Sequence, residues 1–327
     1  MNKVVLLMAI AFAQLVLAQS PIVTVKNDTV NLKSNDSLKV TSPWKQTNVG
    51  TLDINEVTFV NWNAGGSNSI SALTGLVSNL KYKYKQLKWN NLMRVRYGIN
   101  KQENQKIRKT EDEFELSSTL GYRKDTITNW YYSARFNFKT QLTNGYSYPD
   151  RDNEISRLMA PGYLFVGGGA EYGKNLEKLS LYLSPLTIKG TFVLDKTLSN
   201  AGAFGVAPAV YDAEGNVLQD GERVRTEMGI LLTSTFETEL FENIQLRNVF
   251  SSYTDYLKDF GNIDIDWELV LNLKVNHYVR ATLGSHIKYD NDIKIQQETV
   301  VEDEFVQRGA KIQWKQLLGV GVIVEFS

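Results

Sequence analysis

The chain of 327 residues contains no cysteine and two histidines. Those absences remove thiolate nucleophiles, cysteine-ligated zinc, iron–sulfur clusters and disulfides, and leave most metal and triad chemistries without their parts. Lysine plus arginine equals aspartate plus glutamate at 36 each. No excess of positive charge is left to neutralise phosphates, so nucleic acid is excluded as a partner. Beyond the first residues no run of about 18 uninterrupted apolar residues occurs, so the exported product is not a helical membrane protein. Few stretches carry a helical period.

The N-terminus carries an export pattern. Met1-Asn2-Lys3 forms a short positive start, Val4 to Ala18 an apolar stretch, and Val16 and Ala18 a small-residue cleavage site. We read residues 1–18 as a cleavable signal peptide and 19–43, rich in Asn, Ser, Thr, Asp and Lys, as a polar leader. From 44 to 327 the texture becomes period-2 alternation. Trp130, Tyr132, Ala134, Phe136 and Phe138 share one face, while Tyr131, Ser133, Arg135, Asn137 and Lys139 share the other. That second face is too polar for a soluble core.

The alternating runs last roughly 10–15 residues, as a strand tilted across a bilayer requires, whereas soluble strands cluster near five or six. They fall near 49–60, 68–85, 86–101, 112–123, 128–142, 160–173, 177–194, 225–240, 243–256, 261–275, 278–291 and 311–327. Their connections alternate: Lys85-Gln86, 123–129, 174–177, 241–243 and 276–278 are short, while 102–111, 143–159, 195–224 and 292–310 are long. The fold class that follows is all-β, a transmembrane antiparallel up-and-down β-barrel of about twelve strands. Its setting is the outer membrane of a Gram-negative bacterium, with outer-membrane lipid and lipopolysaccharide around it. Leu179, Leu181 and Leu183 share a face and the phase then switches to Ile188 and Phe192 around Pro185, which predicts a bulge.

Twelve strands at about 40° tilt enclose a cylinder of roughly 12 Å radius, so side chains decide whether water passes. The candidate lining is charged: Arg94, Arg96, Glu113, Arg135, Lys139, Glu237, Arg247, Asp266, Glu268, His286 and Lys288. Counting outward from the short turns sets Asp266 opposite Lys288, Glu268 opposite His286, Glu113 opposite Lys139 and Glu237 opposite Arg247. Asp264 and Asp290 also face each other, with Asp292 just beyond, a carboxylate cluster that suits a structural Ca²⁺ or Mg²⁺. No other cofactor is expected. Catalysis lacks parts, because His286 alternates inward while Ser285 points outward, and His277 falls in a turn. Gly65-Gly66, Asn144-Gly145 and Gly167-Gly168-Gly169 lack the strand–loop–helix setting of a phosphate loop and read as turns and close strand packing.

Several pieces in order resemble a known family: Val60-Asn61-Trp62-Asn63-Ala64-Gly65-Gly66-Ser67-Asn68-Ser69, Ala160-Pro161-Gly162-Tyr163, Leu183-Ser184-Pro185-Leu186, Tyr289-Asp290-Asn291-Asp292-Ile293 and Leu318-Gly319-Val320-Gly321. Between about Trp44 and Phe326 the chain resembles the uncharacterised outer-membrane proteins of Bacteroidota grouped as domain of unknown function 3078. The resemblance implies an outer-membrane barrel and supplies no reaction or ligand. Three functions stay open. One is a narrow, porin-like diffusion channel with a charge-lined lumen. Another is a structural or accessory envelope protein whose outer loops bind a partner. The third is a lipid-modifying enzyme, which would need a base on the outer wall.

Overall fold

The computed structural model describes residues 42–58, 67–173, 178–258, 260–291, 294–298 and 305–326, without the side chains of 294–298 and 305–309. The expected signal peptide over 1–18, nearly all of the expected leader over 19–43, Trp62 and Asp292 lie outside the described residues.

Twelve strands close into one antiparallel barrel in which every chain neighbour is also a sheet neighbour. They are β1 (Trp44–Val57), β2 (Ser69–Tyr84), β3 (Leu87–Gln102), β4 (Arg108–Tyr122), β5 (Trp130–Thr140) and β6 (Gly162–Tyr172). The second half comprises β7 (Leu179–Phe192), β8 (Val224–Phe241), β9 (Ile244–Asp255), β10 (Asp264–Lys274), β11 (Val279–Tyr289) and β12 (Gln313–Phe326). Both ends of the barrel chain and all the short turns share one rim. The longer connections, 141–161, 193–223 and 290–312 among them, share the other. Among the described residues that rim also carries three small hairpins, a short 3-10 turn (Ala203–Gly205) and one α-helix, α1 (Lys196–Asn200), capped by Asp195, whose Oδ1 accepts from Leu198 N at 3.0 Å. The connection expected over 102–111 is shorter, because β3 and β4 stay paired out to Asn100 and Arg108.

The barrel is inside out. Its buried side chains are mostly polar or charged, among them Lys88, Glu115, Glu171, Lys189 and Glu227, while Leu318, Val320, Val324 and Phe136 lie exposed on the outer wall. No described helix is long and apolar enough to cross a membrane. Aromatic rings collect near the short-turn rim, where Trp44 packs on Tyr82 and Trp89, and Trp130 on Tyr172. Polar groups on the outer wall are matched by tryptophan. Trp89 Nε1 donates to Ser118 Oγ at 2.8 Å, Trp267 Nε1 to Asn248 Oδ1 at 2.7 Å, and Trp314 Nε1 to Ser285 Oγ at 2.9 Å. Each bond removes a polar group that hydrocarbon would leave without a partner.

The bulge predicted at Pro185 is present. The ladders on both sides of β7 slip there, between Gly168 and Ala170 on β6 and between Gly229 and Leu231 on β8. Tyr182 OH and Ser184 Oγ turn inward and donate to the carbonyls of Gly167 and Gly168 at 3.1 and 3.0 Å. A Cβ at Gly169 would overlap the Leu183 carbonyl and one at Gly167 would crowd Thr187 Oγ1, so these two glycines serve close strand packing, whereas Gly168 faces open space. The bulge also seats a small apolar cluster of Tyr182, Leu231 and Tyr253, with Phe165 against it, on the inner wall.

Candidate functional site

The lumen holds three tiers of charge. Nearest the short turns, Lys88 Nζ donates to Glu171 Oε2 at 2.6 Å, and Ser180 Oγ donates to the other oxygen at 2.6 Å. The two ionic side chains are only 6% and 5% exposed. Arg135 stacks 4.0 Å over the Tyr182 ring in the same tier.

The middle tier reaches across the barrel. Arg94 donates to Glu115 at 3.1 Å, Arg247 to Glu268 at 2.8 Å and to Glu237 at 3.1 Å. Arg96 on β3 approaches Glu268 on β10 at 3.7 Å and Glu113 at 3.8 Å. Strands β3 and β10 are not neighbours in the sheet, so the contact is a chord through the lumen. A second chord joins Lys139 on β5 to Asp266 on β10 at 3.9 Å.

Above these chords, toward the long loops, lies a cavity of about 440 Å³, with Glu113, Lys139, Tyr163, His286, Lys288 and Lys315 in its wall. His286 Nε2 lies 2.7 Å from Asp266 Oδ1, and Lys288 Nζ 3.8 Å from Asp266 Oδ2. Lys315 reaches both oxygens of Glu111 at 2.9 Å, from β12 to β4.

The eleven residues expected to line the lumen do not form one cluster. Asp266 pairs in register with Lys288, Glu268 with His286, and Glu237 with Arg247, as counted from the turns. Lys139 stands opposite Glu115 rather than Glu113. The difference is two residues because Asp125 caps the 123–129 turn, accepting from Ile127 N and Thr128 N at 2.9 and 2.7 Å, and centres it one position later than assumed. A slip of two keeps every side chain on its face. Arg135 belongs to the lower tier, away from the rest.

Between Asp264 and Asp290 stands an ammonium group of the chain itself. Lys189 Nζ lies 2.8 Å from Asp264, 3.5 Å from Glu227 and 3.9 Å from Asp290. It sits where the sequence reading set a divalent ion, and it supplies the positive charge that a pair of facing carboxylates requires. No group of three or more metal-ligating side chains occurs among the described residues. Sequence reasoning missed Lys88, Glu171, Lys189, Glu227, Asp53 and Arg280. Parity along β3 already puts Lys88 on the face of Arg94 and Arg96, and parity along β6 could have found Glu171. Lys189 depended on the bulge, which resets parity along β7.

His286 is engaged by Asp266 inside, and Ser285 receives Trp314 outside, so the two neighbours never meet. Residues 54–146 match the family model described as a protein of unknown function, DUF3078. That span is shorter than the stretch over which the motifs resemble this family. No curated protein matches the chain. Among solved structures, the chain is similar to an outer membrane channel, COG4313, from Pseudomonas putida F1. The identity is 9% and the TM-score 0.39, over 90% of this chain and 100% of that one. It is also similar to the translocator domain of the autotransporter NalP from Neisseria meningitidis, at 10% identity and TM-score 0.30, over 88% and 89%. A third is the NanC porin, at 8% identity and TM-score 0.33, over 84% and 98%.

Proposed function

We propose that this chain is a non-enzymatic outer-membrane barrel that works as a narrow, charge-selective channel. The observation that carries this reading is the cavity open toward the long loops, floored by the Arg96–Glu268 and Lys139–Asp266 chords. Both chords are longer than hydrogen bonds, so their partners can exchange for a passing ion or water at modest cost. Glu115 and Arg247 are held by shorter bonds at 2.7 to 3.1 Å and serve as the fixed frame around them.

A second reading rests on a different feature. Around α1, Ala160, Val193, Leu198 and Val206 form a buried apolar cluster of their own within the outer loops, with Phe204 against it. A pre-formed loop surface of that kind suits a structural or accessory protein that holds a partner at the envelope surface.

Single-channel recording of the refolded mature protein in planar bilayers separates the two. The channel reading expects small steady openings whose cation-to-anion preference shifts in Glu268→Gln and Asp266→Asn. Silent bilayers from protein that still shows heat-modifiable migration on a gel would mean that the chords seal the lumen, leaving the loops as the working part.

A further inference from the structure

Strands β5 and β11 stand half the ring apart, six neighbours away in either direction. Lys139 on β5 and Lys288 on β11 nevertheless reach the same atom, Asp266 Oδ2, at 3.9 and 3.8 Å. Two ammonium groups from opposite walls thus flank one carboxylate oxygen, and the other oxygen of that carboxylate lies 2.7 Å from His286 Nε2. Each ammonium carries three N–H donors, and neither donates a hydrogen bond among the described residues.

The acidic groups in the wall of the cavity already have partners. Glu111 accepts from Lys315 at both oxygens, at 2.9 Å. Asp112 accepts from Lys109 Nζ, Leu142 N, Thr143 N and Thr143 Oγ1 at distances of 2.6 to 2.9 Å. Glu113 faces Arg96 at 3.8 Å. Among the described residues the unspent capacity of this wall is therefore cationic, because two lysines share a single oxygen.

Each lysine also has a neutral polar companion on the next strand. Lys139 stands opposite Tyr163 of β6, and Lys288 opposite Gln313 of β12. All four line the cavity, and the side chains of Tyr163 and Gln313 make no hydrogen bond among the described residues. Since β6 and β12 are also half the ring apart, one pair faces the other across the lumen. At about 440 Å³ the cavity falls within the size range of small-molecule sites and is far larger than a bare inorganic anion fills.

We propose that this cavity binds a small hydroxylated carboxylate, such as a sugar acid, with its carboxylate between Lys139 and Lys288 and its hydroxyls at Tyr163 and Gln313. A carboxylate entering with one oxygen toward each nitrogen replaces two long contacts by two charge-assisted hydrogen bonds of about 2.8 Å. Asp266 is then a competitor that the solute displaces. A neutral sugar makes no such bonds, and a cationic one is repelled by the same two groups. The site deepens the channel reading by naming its solute class and rests on that reading for passage.

Equilibrium dialysis of labelled glucuronate against the refolded protein in detergent reads binding whether or not the lumen conducts. Glucose and glucosamine serve as the neutral and cationic counterparts. Saturable binding of glucuronate is expected, with neither counterpart competing in large excess. The Lys139→Gln/Lys288→Gln double variant should weaken it about tenfold or more, as loss of hydrogen bonds to a charged group predicts. Lys139→Arg/Lys288→Arg should retain it, and Asp266→Asn should tighten it several-fold because the competing anion is gone. Heat-modifiable migration on a gel establishes that each variant is folded. Equal competition by glucose, unchanged binding in the glutamine double variant, or weaker binding in folded Asp266→Asn overturns the site. Protein that conducts ions in bilayers but does not bind glucuronate refutes the site and spares the channel; protein that is silent in bilayers but binds saturably does the reverse.

Discussion

The lumen's two ends are built from the same residue types and differ in how tightly they are tied. Near the short turns, Lys88 and Glu171 meet at 2.6 Å with almost no exposure, and Ser180 and Ser133 complete the carboxylate's bonds. Near the long loops, Lys139 and Lys288 stand 3.9 and 3.8 Å from Asp266 and are 35% and 49% exposed. Charges in the first setting cannot rearrange without leaving a buried ion unpaired. In the second, water already shares the work. One end is a brace and the other is only loosely tied.

The sharpest way to break this contrast is to remove one partner of the brace. Glu171→Ala strands the Lys88 ammonium, and we expect a loss of about 3–5 kcal/mol, read as a lower urea midpoint for unfolding from vesicles. An unchanged midpoint would mean that the lower tier is hydrated after all. Next comes the bulge that shapes the wall between the tiers. Gly169→Val collides with the Leu183 backbone and should cost about 1–3 kcal/mol as overpacking, seen as reduced heat-modifiability on a gel. At the loop end, Lys288→Gln should alter stability by less than about 1 kcal/mol, since its pair is half exposed. The same substitution should still shift ion preference in bilayers. A large stability loss there would erase the distinction between the two ends.

On the outer wall, Ser285→Ala removes the acceptor of Trp314 Nε1, with an expected cost of about 1 kcal/mol and a change in the emission of that tryptophan. The smallest effect concerns pH. The Arg157 hydrogen bond, outside the membrane, holds the Glu154 carboxyl below the usual carboxylate range, and Arg157 also donates to Asp195 at the cap of α1. A depressed folded value means that the anchor is fully present above the ordinary carboxylate range and is lost only as pH falls through the lowered one. Amide protection in 154–157, taken against the intrinsic exchange rate at each pH, should therefore stay unchanged from pH 7 to about 5 and fall at lower pH.

Much of the architecture was legible because a strand in a bilayer wall has two chemically opposed faces and a side-chain period of two. Trp130 to Lys139 displays both faces without reference to any other segment. Three of the four cross-strand pairs counted from turns hold because a short hairpin leaves its register little freedom. The fourth, at Lys139, failed where a seven-residue turn recentres on the Asp125 cap. Local pattern had no means of finding partners that are not neighbours in the sheet. Arg96 with Glu268, Lys139 with Asp266, Lys315 with Glu111, and Lys189 with Asp264 are contacts between strands separated by others, and they exist only once the sheet has curled shut.

The alternation of apolar and polar residues, the lengths of the runs and the spacing of the turns by themselves determined that this chain is an inside-out barrel of twelve strands, because each is set within one strand or one hairpin. Closure decided the rest. Which charges cross the lumen and which ammonium stands between Asp264 and Asp290 depend on the stagger and curvature of the whole ring, a property that no single strand carries.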